Sequence, residues 1–242
     1  MIYYDSKGVA REFFLSKTGF GGYCASLYKI DNEEKIFKSY DKRKISDAFR
    51  IDYETFELLK TINHSNFISL TERYYSSADY DKKKIKKVLK NAKNYLISAY
   101  IYDYIEEDEI RVTEMPTDYF LDNINRIENL FETFANEKVS VNDLKPENMV
   151  LNRENMVMID PDFFRREKDL KEEEIASQNK WKLRYLILDL IMEDIGSDDY
   201  EEEFQELFYY LDDKSDESFS IQLLKKIGSY KRPIDYLRRR SK

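Results

Sequence analysis

The segment Asn142-Asp143-Leu144-Lys145-Pro146-Glu147-Asn148 is followed by the apolar run Met149-Val150-Leu151 and then by Val157-Met158-Ile159-Asp160. An acid, a lysine two places on, an asparagine five places on and a second acid closing the next apolar stretch can together hold metal-bound ATP. The reaction that such a set names is transfer of the γ-phosphoryl group. It depends on positioning and charge neutralisation, so a carboxylate must orient the acceptor hydroxyl while cations cover the equatorial oxygens.

The elements that must position these groups can be read from the apolar spacing. Short β-rich runs at 13–16, 24–30 and 35–40, broken at glycines and at Asp31-Asn32, predict three antiparallel strands. Ile45, Phe49, Tyr53, Phe56, Leu59 and Ile62 fall on one face of a helix that ends near Asn63-His64. Residues 67–75 and 95–102 read as two further strands, separated by a lysine-rich segment, 82–93, that has the composition of a solvated helix. Beyond Pro116, the spacing of Phe120, Ile124, Ile127, Phe131 and Phe134 predicts an amphipathic helix leading into the central motif. Residues 181–195 read as a more completely buried helix, and shorter helices are expected over 200–211 and 219–237. Glycine and proline number only six and four, and three of the glycines, Gly19, Gly21 and Gly22, stand together between the first two strands.

Composition bounds the partners. With 242 residues, 42% of them hydrophobic, the chain can bury an ordinary core. A net charge of −8 disfavours nonspecific binding to nucleic acid, with 82–93 as a local basic exception, so no nucleic acid partner is expected. A single cysteine, Cys24, allows no intrachain disulfide, and neither a secretory signal nor a membrane span is visible, so a cytoplasmic address is expected, with export by another route left open.

The stretch Asp143 to Asn148, DLKPEN, resembles the catalytic loop of the protein kinases, and further motifs follow the order of that family. Gly19-Phe20-Gly21-Gly22-Tyr23 resembles its glycine-rich loop, with Cys24 where a third glycine would stand. Ile36-Phe37-Lys38 resembles the third-strand lysine motif, residues 58–66 the helix-to-strand passage, 96–102 the hinge strand, Asn179-Lys180-Trp181 the start of a buried helix, and Lys231-Arg232-Pro233 a late segment. The resemblance implies an α+β, two-lobed protein-kinase-like fold in one domain. Its N-lobe, about 1–98, would hold a small antiparallel sheet with one helix, and its C-lobe, about 99–242, would be shortened and mainly helical. It implies that Asp143 orients the acceptor hydroxyl and Lys145 contacts the γ-phosphate. Asn148 and Asp160 would hold magnesium, Lys38 the α- and β-phosphates with Glu54 as its partner, Gly19, Gly21 and Gly22 would approach the phosphates, and Ser98 or Ala99 would lie near the adenine. Lys35 is second to Lys38, and Glu54 is preferred to Glu57. Asp162 is the rival to Asp160, or else an ordinary turn residue.

This sequence departs from the family pattern in three places. Val141-Asn142 replaces the histidine and arginine before the catalytic acid, Asp160-Pro161-Asp162-Phe163 replaces D-F-G, and the charged stretch 165–174 contains no A-P-E. Without that arginine, activity would not depend on phosphorylation of the loop. The expected activity is therefore an ATP- and magnesium-dependent serine/threonine protein kinase acting on a protein hydroxyl. Two alternatives stand beside it: a small-molecule kinase of the aminoglycoside or choline type, which commonly lacks the lysine at the place of Lys145, and a pseudokinase scaffold with the basic 82–93 segment as its docking surface.

Overall fold

The computed structural model describes residues 2–18, 25–40, 50–80, 82–107, 111–152, 155–195, 206–207, 210–211 and 217–237. The chain is α+β, with a seven-stranded antiparallel sheet and six α-helices among the described residues. It divides into two units. The first comprises Met1–His64, Ile68–Ile105 and Pro161–Arg165, and the second Ser65–Phe67, Glu106–Asp160 and Arg166–Lys242. The first unit runs through Ile105. The reason is that the strand Ala99–Asp103 is paired on both edges inside the first sheet.

The first unit contains β1 (Tyr3–Tyr4), β2 (Ala10–Arg11), β3 (Leu15–Lys17), β4 (Ala25–Ile30), β5 (Lys35–Tyr40), α1 (Tyr53–Leu59), β6 (Leu70–Ser76), α2 (Lys82–Lys90) and β7 (Ala99–Asp103). The strand order is β2-β1-β6-β7-β5-β4-β3. The turn between β4 and β5 places Asn32 at φ 64°, a left-handed position that asparagine tolerates well. Alternation along β5 sends Phe37 to one face and Ile36, Lys38 and Tyr40 to the other. Phe37 is fully buried, with ring centroids of Phe13 at 4.7 Å and Tyr3 at 4.8 Å.

Two strands precede the first one expected from the sequence. Asp5 builds their turn: Oδ1 accepts the backbone N–H groups of Lys7 and Val9, both at 2.9 Å, and Oδ2 accepts Arg11 Nε at 2.9 Å. Gly8 sits in that turn at φ 80°, and a Cβ there would come within 2.6 Å of Leu89 Cδ1 on α2, so both backbone and space call for glycine.

The helix expected over 45–62 is shorter in the structure. Asp52 lies extended and caps α1, accepting the Thr55 N–H at 2.9 Å and the Thr55 hydroxyl at 2.6 Å, so the helix begins at Tyr53; Ile45 and Phe49 lie outside the described residues.

The second unit contains α3 (Thr117–Asn136), β8 (Val139–Ser140), β9 (Met149–Asn152), β10 (Asn155–Met158), α4 (Glu172–Ile195), α5 (Phe219–Ile227) and α6 (Pro233–Leu237). The stripe expected on α3 is the buried one, with Phe120, Ile124, Ile127 and Phe134 fully enclosed, and α3 packs against α4 and α5. Glu128 of α3 accepts the backbone N–H groups of Phe219 (2.5 Å) and Ser220 (3.0 Å), neutralising the start of α5.

Helix α4 begins at Glu172, nine residues before the expected start, and its first part is not buried all round. Trp181 and Tyr185 are exposed, with ring centroids 4.1 Å apart and planes tilted by 43°. The single helix expected over 219–237 is two helices, α5 and α6, parted after Ile227 at Gly228; most of 200–211 lies outside the described residues. Among the described residues, no helix is long and apolar enough to cross a membrane.

Burial pushes the Asp5 carboxyl up, but the hydrogen bonds from Val9, Arg11 and Lys7 outweigh it and hold the group below its ordinary value. A lowered folded-state pKa contributes stability above the unfolded value, about 3.9, and that contribution disappears as pH falls through the folded value. Denaturation midpoints of the wild type and Asp5→Asn should therefore differ at neutral pH and converge well below about pH 4. A gap that stays constant or widens on acidification would contradict this account of the turn.

Candidate active site

The site in the second unit is organised by the β9–β10 hairpin. Its register pairs Met149 with Met158 and Asn152 with Asn155, and one step beyond Met149–Met158 the Ile159 N–H donates to the Asn148 carbonyl at 2.8 Å. Asp160 therefore leaves the hairpin at the end where Asn148 enters it. The Asn148 side-chain amide nitrogen, in turn, donates to the Asp143 carbonyl oxygen at 2.8 Å and to Asp143 Oδ2 at 3.4 Å. These bonds gather Asp143, Asn148 and Asp160 at one end of one hairpin.

With its nitrogen turned toward Asp143, the Asn148 amide keeps its oxygen as an acceptor. Lys145 Nζ lies 3.3 Å from Asp143 Oδ2, and both side chains are substantially exposed. In water such a pair contributes about 0–1 kcal/mol, so it leaves the ammonium able to exchange partners.

Asp143 has φ 53° and Asp160 has φ 58°. The left-handed region is unfavourable for a residue with a Cβ, and the two acids share it while flanking the same amide. What holds the backbone there is visible on both sides. Asn179 of α4 is fully buried, accepting the Val141 N–H at 2.9 Å and donating to the Val139 carbonyl at 3.0 Å. Lys182, one turn on, donates to Asn142 Oδ1 at 2.6 Å, and Asn142 donates to Ser140 Oγ at 3.0 Å, which donates to Glu167 at 2.8 Å. Burial lowers the Lys182 pKa, with the Glu167 carboxylate pulling the other way.

On the hairpin side, Asn123 of α3 accepts the Met156 N–H at 2.8 Å, and Asn66 donates both to Asn123 Oδ1 (2.7 Å) and to the Met156 carbonyl (2.8 Å). The sequence reading missed Asn66 and Asn123. The available signal was an amide lying among the apolar positions Phe120, Ile124 and Ile127 of α3.

A different cluster lies within the first unit. Lys38 and Asp162 form a buried ion pair, Nζ to Oδ2 2.8 Å, and Asp162 Oδ1 accepts the hydroxyls of Tyr40 (2.6 Å) and Tyr100 (2.8 Å). The sheet explains this grouping. Tyr40 is two residues from Lys38 on the same face of β5, and Tyr100 of β7 is the directly opposed partner of Lys38. Asp162 is thus a turn residue, as the Pro161–Phe164 bond shows, but a buried one whose carboxylate meets Lys38, Tyr40 and Tyr100. The alternation of β5 could have suggested Tyr40, whereas Tyr100 needed the β5–β7 register, which no local pattern reveals.

The remaining expectations fall as follows. Glu54 is half-buried in the first turn of α1, and Glu57 is engaged by Arg73 of β6. Gly19, Gly21 and Gly22 lie outside the described residues. Ser98 and Ala99 are both buried. The Ser98 N–H is bonded to the Tyr74 carbonyl (2.9 Å) and its carbonyl to the Tyr40 N–H (3.1 Å), while Ala99 is paired between β5 and β6. Their backbone groups serve the sheet.

Among the described residues no three His, Cys, Asp or Glu side chains cluster as a metal cage. The donor set of Asn148 Oδ1 and the Asp160 carboxylate fits a small hard cation that takes its other ligands from phosphate and water. No protein-family model matches the chain, and no curated protein matches it.

The Lys38–Asp162 pair yields a prediction. Removing one member strands a buried charge, so Lys38→Met and Asp162→Leu should each lower unfolding free energy by about 3–5 kcal/mol, while the two combined should lose much less than the sum. Urea denaturation of the four proteins measures this. Additive losses would mean that the two groups are not coupled.

Proposed function

We propose that the chain transfers the γ-phosphoryl group of ATP to a serine or threonine hydroxyl of a protein, with a protein-kinase-like arrangement of residues. The observation that carries this reading is the Asn148 amide, which bonds Asp143 through its nitrogen while its backbone carbonyl ties down the residue before Asp160. This supports the reading because the Asp143 carboxylate meets the Asn148 amide and the backbone of Asp160 leaves the same end of the hairpin, all within one unit.

In this reading Asp143 orients the acceptor hydroxyl and takes its proton as the acceptor oxygen bonds to phosphorus and the bond from phosphorus to the β-phosphate oxygen breaks. Lys145 leaves Asp143 to contact the γ-phosphate. Asn148 and Asp160 hold magnesium, which when bound neutralises phosphate charge. Lys38 serves the α- and β-phosphates with Asp162 as its anionic partner and Glu54 in support. Lys145 favours a protein acceptor over the small-molecule alternative, by the resemblance of DLKPEN. The scaffold reading is supported by one observation, the ion pair that already holds Lys38.

Incubation with γ-labelled ATP, magnesium and a generic protein acceptor tests the proposal. Label should appear on the chain or the acceptor, and Asp143→Ala should reduce its rate by at least about 100-fold without a change in melting temperature. Asp160→Asn should raise the magnesium concentration needed for half-maximal rate, whereas Asp162→Asn should act mainly on the KM for ATP. If ATP raises the melting temperature but no metal supports transfer, the scaffold reading replaces this one; if a small hydroxylated amine is labelled in preference to protein, the acceptor class is wrong.

A further inference from the structure

Seven lysines and no acid fall between residues 82 and 93 of a chain whose net charge is −8, and no acid occurs from 82 to 102. Helix α2 carries most of them. Lys83, Lys86, Lys87 and Lys90 stand at i, i+3, i+4 and i+7, so they form one stripe about 10 Å long. All four are exposed, and none makes an ion pair among the described residues. On the opposite side Ile85 and Val88 are buried against Tyr4 and Tyr75, which fixes the rotation of the helix and keeps the stripe outward. Lys93, in the 3-10 turn Ala92–Asn94 that follows, is exposed as well.

This arrangement opposes the helix that bears it. Like charges three and four apart repel, and Lys83 in a first turn without any acid faces the positive end of the helix dipole, whereas only Lys87 and Lys90 in the last turn suit its negative end. Glutamates at two of these positions would make a better helix, so the stripe is not explained by stability.

We propose that the lysine stripe of α2 is a docking surface for a short acidic segment of a partner protein. Its length matches about three or four residues of extended peptide at 3.3 Å per residue, and carboxylates along such a segment would meet successive ammonium groups. A long polyanion fits less well. A nucleic acid or an anionic bilayer would carry its negative charge past the stripe and along a chain that is itself negative. The stripe offers neither aromatic faces on which bases could stack nor arginine forks for bidentate phosphate contacts. With its two buried apolar residues turned into the first unit, it also has nothing to insert into lipid. The surface stands independently of phosphoryl transfer.

The test is fluorescence anisotropy of the full chain with labelled hexaglutamate, and with hexaglutamine as control. Hexaglutamate should bind, with affinity falling as salt is raised. The variant combining Lys83→Gln, Lys86→Gln, Lys87→Gln and Lys90→Gln should lose at least about tenfold in affinity at an unchanged or higher melting temperature, while the corresponding four arginine substitutions should retain binding. Equal binding by the glutamine variant, or none by the wild type at low salt, would overturn the proposal. So would a single-stranded RNA oligonucleotide or phosphatidylserine vesicles binding more tightly than the peptide in a stripe-dependent way, or self-association of the chain that the glutamine substitutions abolish.

Discussion

The candidate site rests on the register of one hairpin. Pairing Met149 with Met158 brings the residue before β9 and the two residues after β10 to one end, and a slip by a single position would turn every side chain of a strand to the opposite face. The register is fixed from outside the hairpin as well as within it. Asn123 and Asn66 satisfy both the N–H and the carbonyl of Met156, groups that would otherwise be buried without partners, so a shifted strand would leave two buried amides unmatched. A polar contact on an otherwise apolar helix thereby decides where Asp160 emerges.

The two clusters of charge solve different electrostatic problems. Asp143 and Lys145 are partly in water, where a carboxylate and an ammonium interact weakly and can trade partners. Lys38 and Asp162 are removed from water, and a charge pair in that position is tolerable only because two tyrosine hydroxyls complete the solvation of the carboxylate. Positive φ angles at Asp143 and Asp160 belong to the same economy of position, since the loop is anchored through Val141, Asn142 and Val139 before it reaches the first acid.

How much was legible in the sequence follows from the range of each interaction. Strong 3.6-residue periodicity gave α3, and β-rich runs gave β4 and β5, because those signals are carried by the element itself. The segment from Asp143 to Asp160 stood out by its residue types and spacing, and the β9–β10 hairpin that joins Asn148 to Asp160 closes over few residues. The two-residue strands β1 and β2 were missed because they are too short to show alternation and exist through the hydrogen bonds of Asp5. The burial of Asp162 and the enclosure of Ser98 and Ala99 depend on the order of strands in the sheet. Proline and aspartate in sequence suggested a turn, and only the pairing of β5 with β7 reveals the acceptor position they fill.

The exposed contact of Trp181 with Tyr185 gives the molecule a built-in optical reporter. Trp181 is the chain's single tryptophan, so all indole emission comes from one place on α4, beside the Lys182 that grips the residue before Asp143. Because the indole is only partly exposed and touches a phenol ring, its emission reports on the packing of that turn of α4.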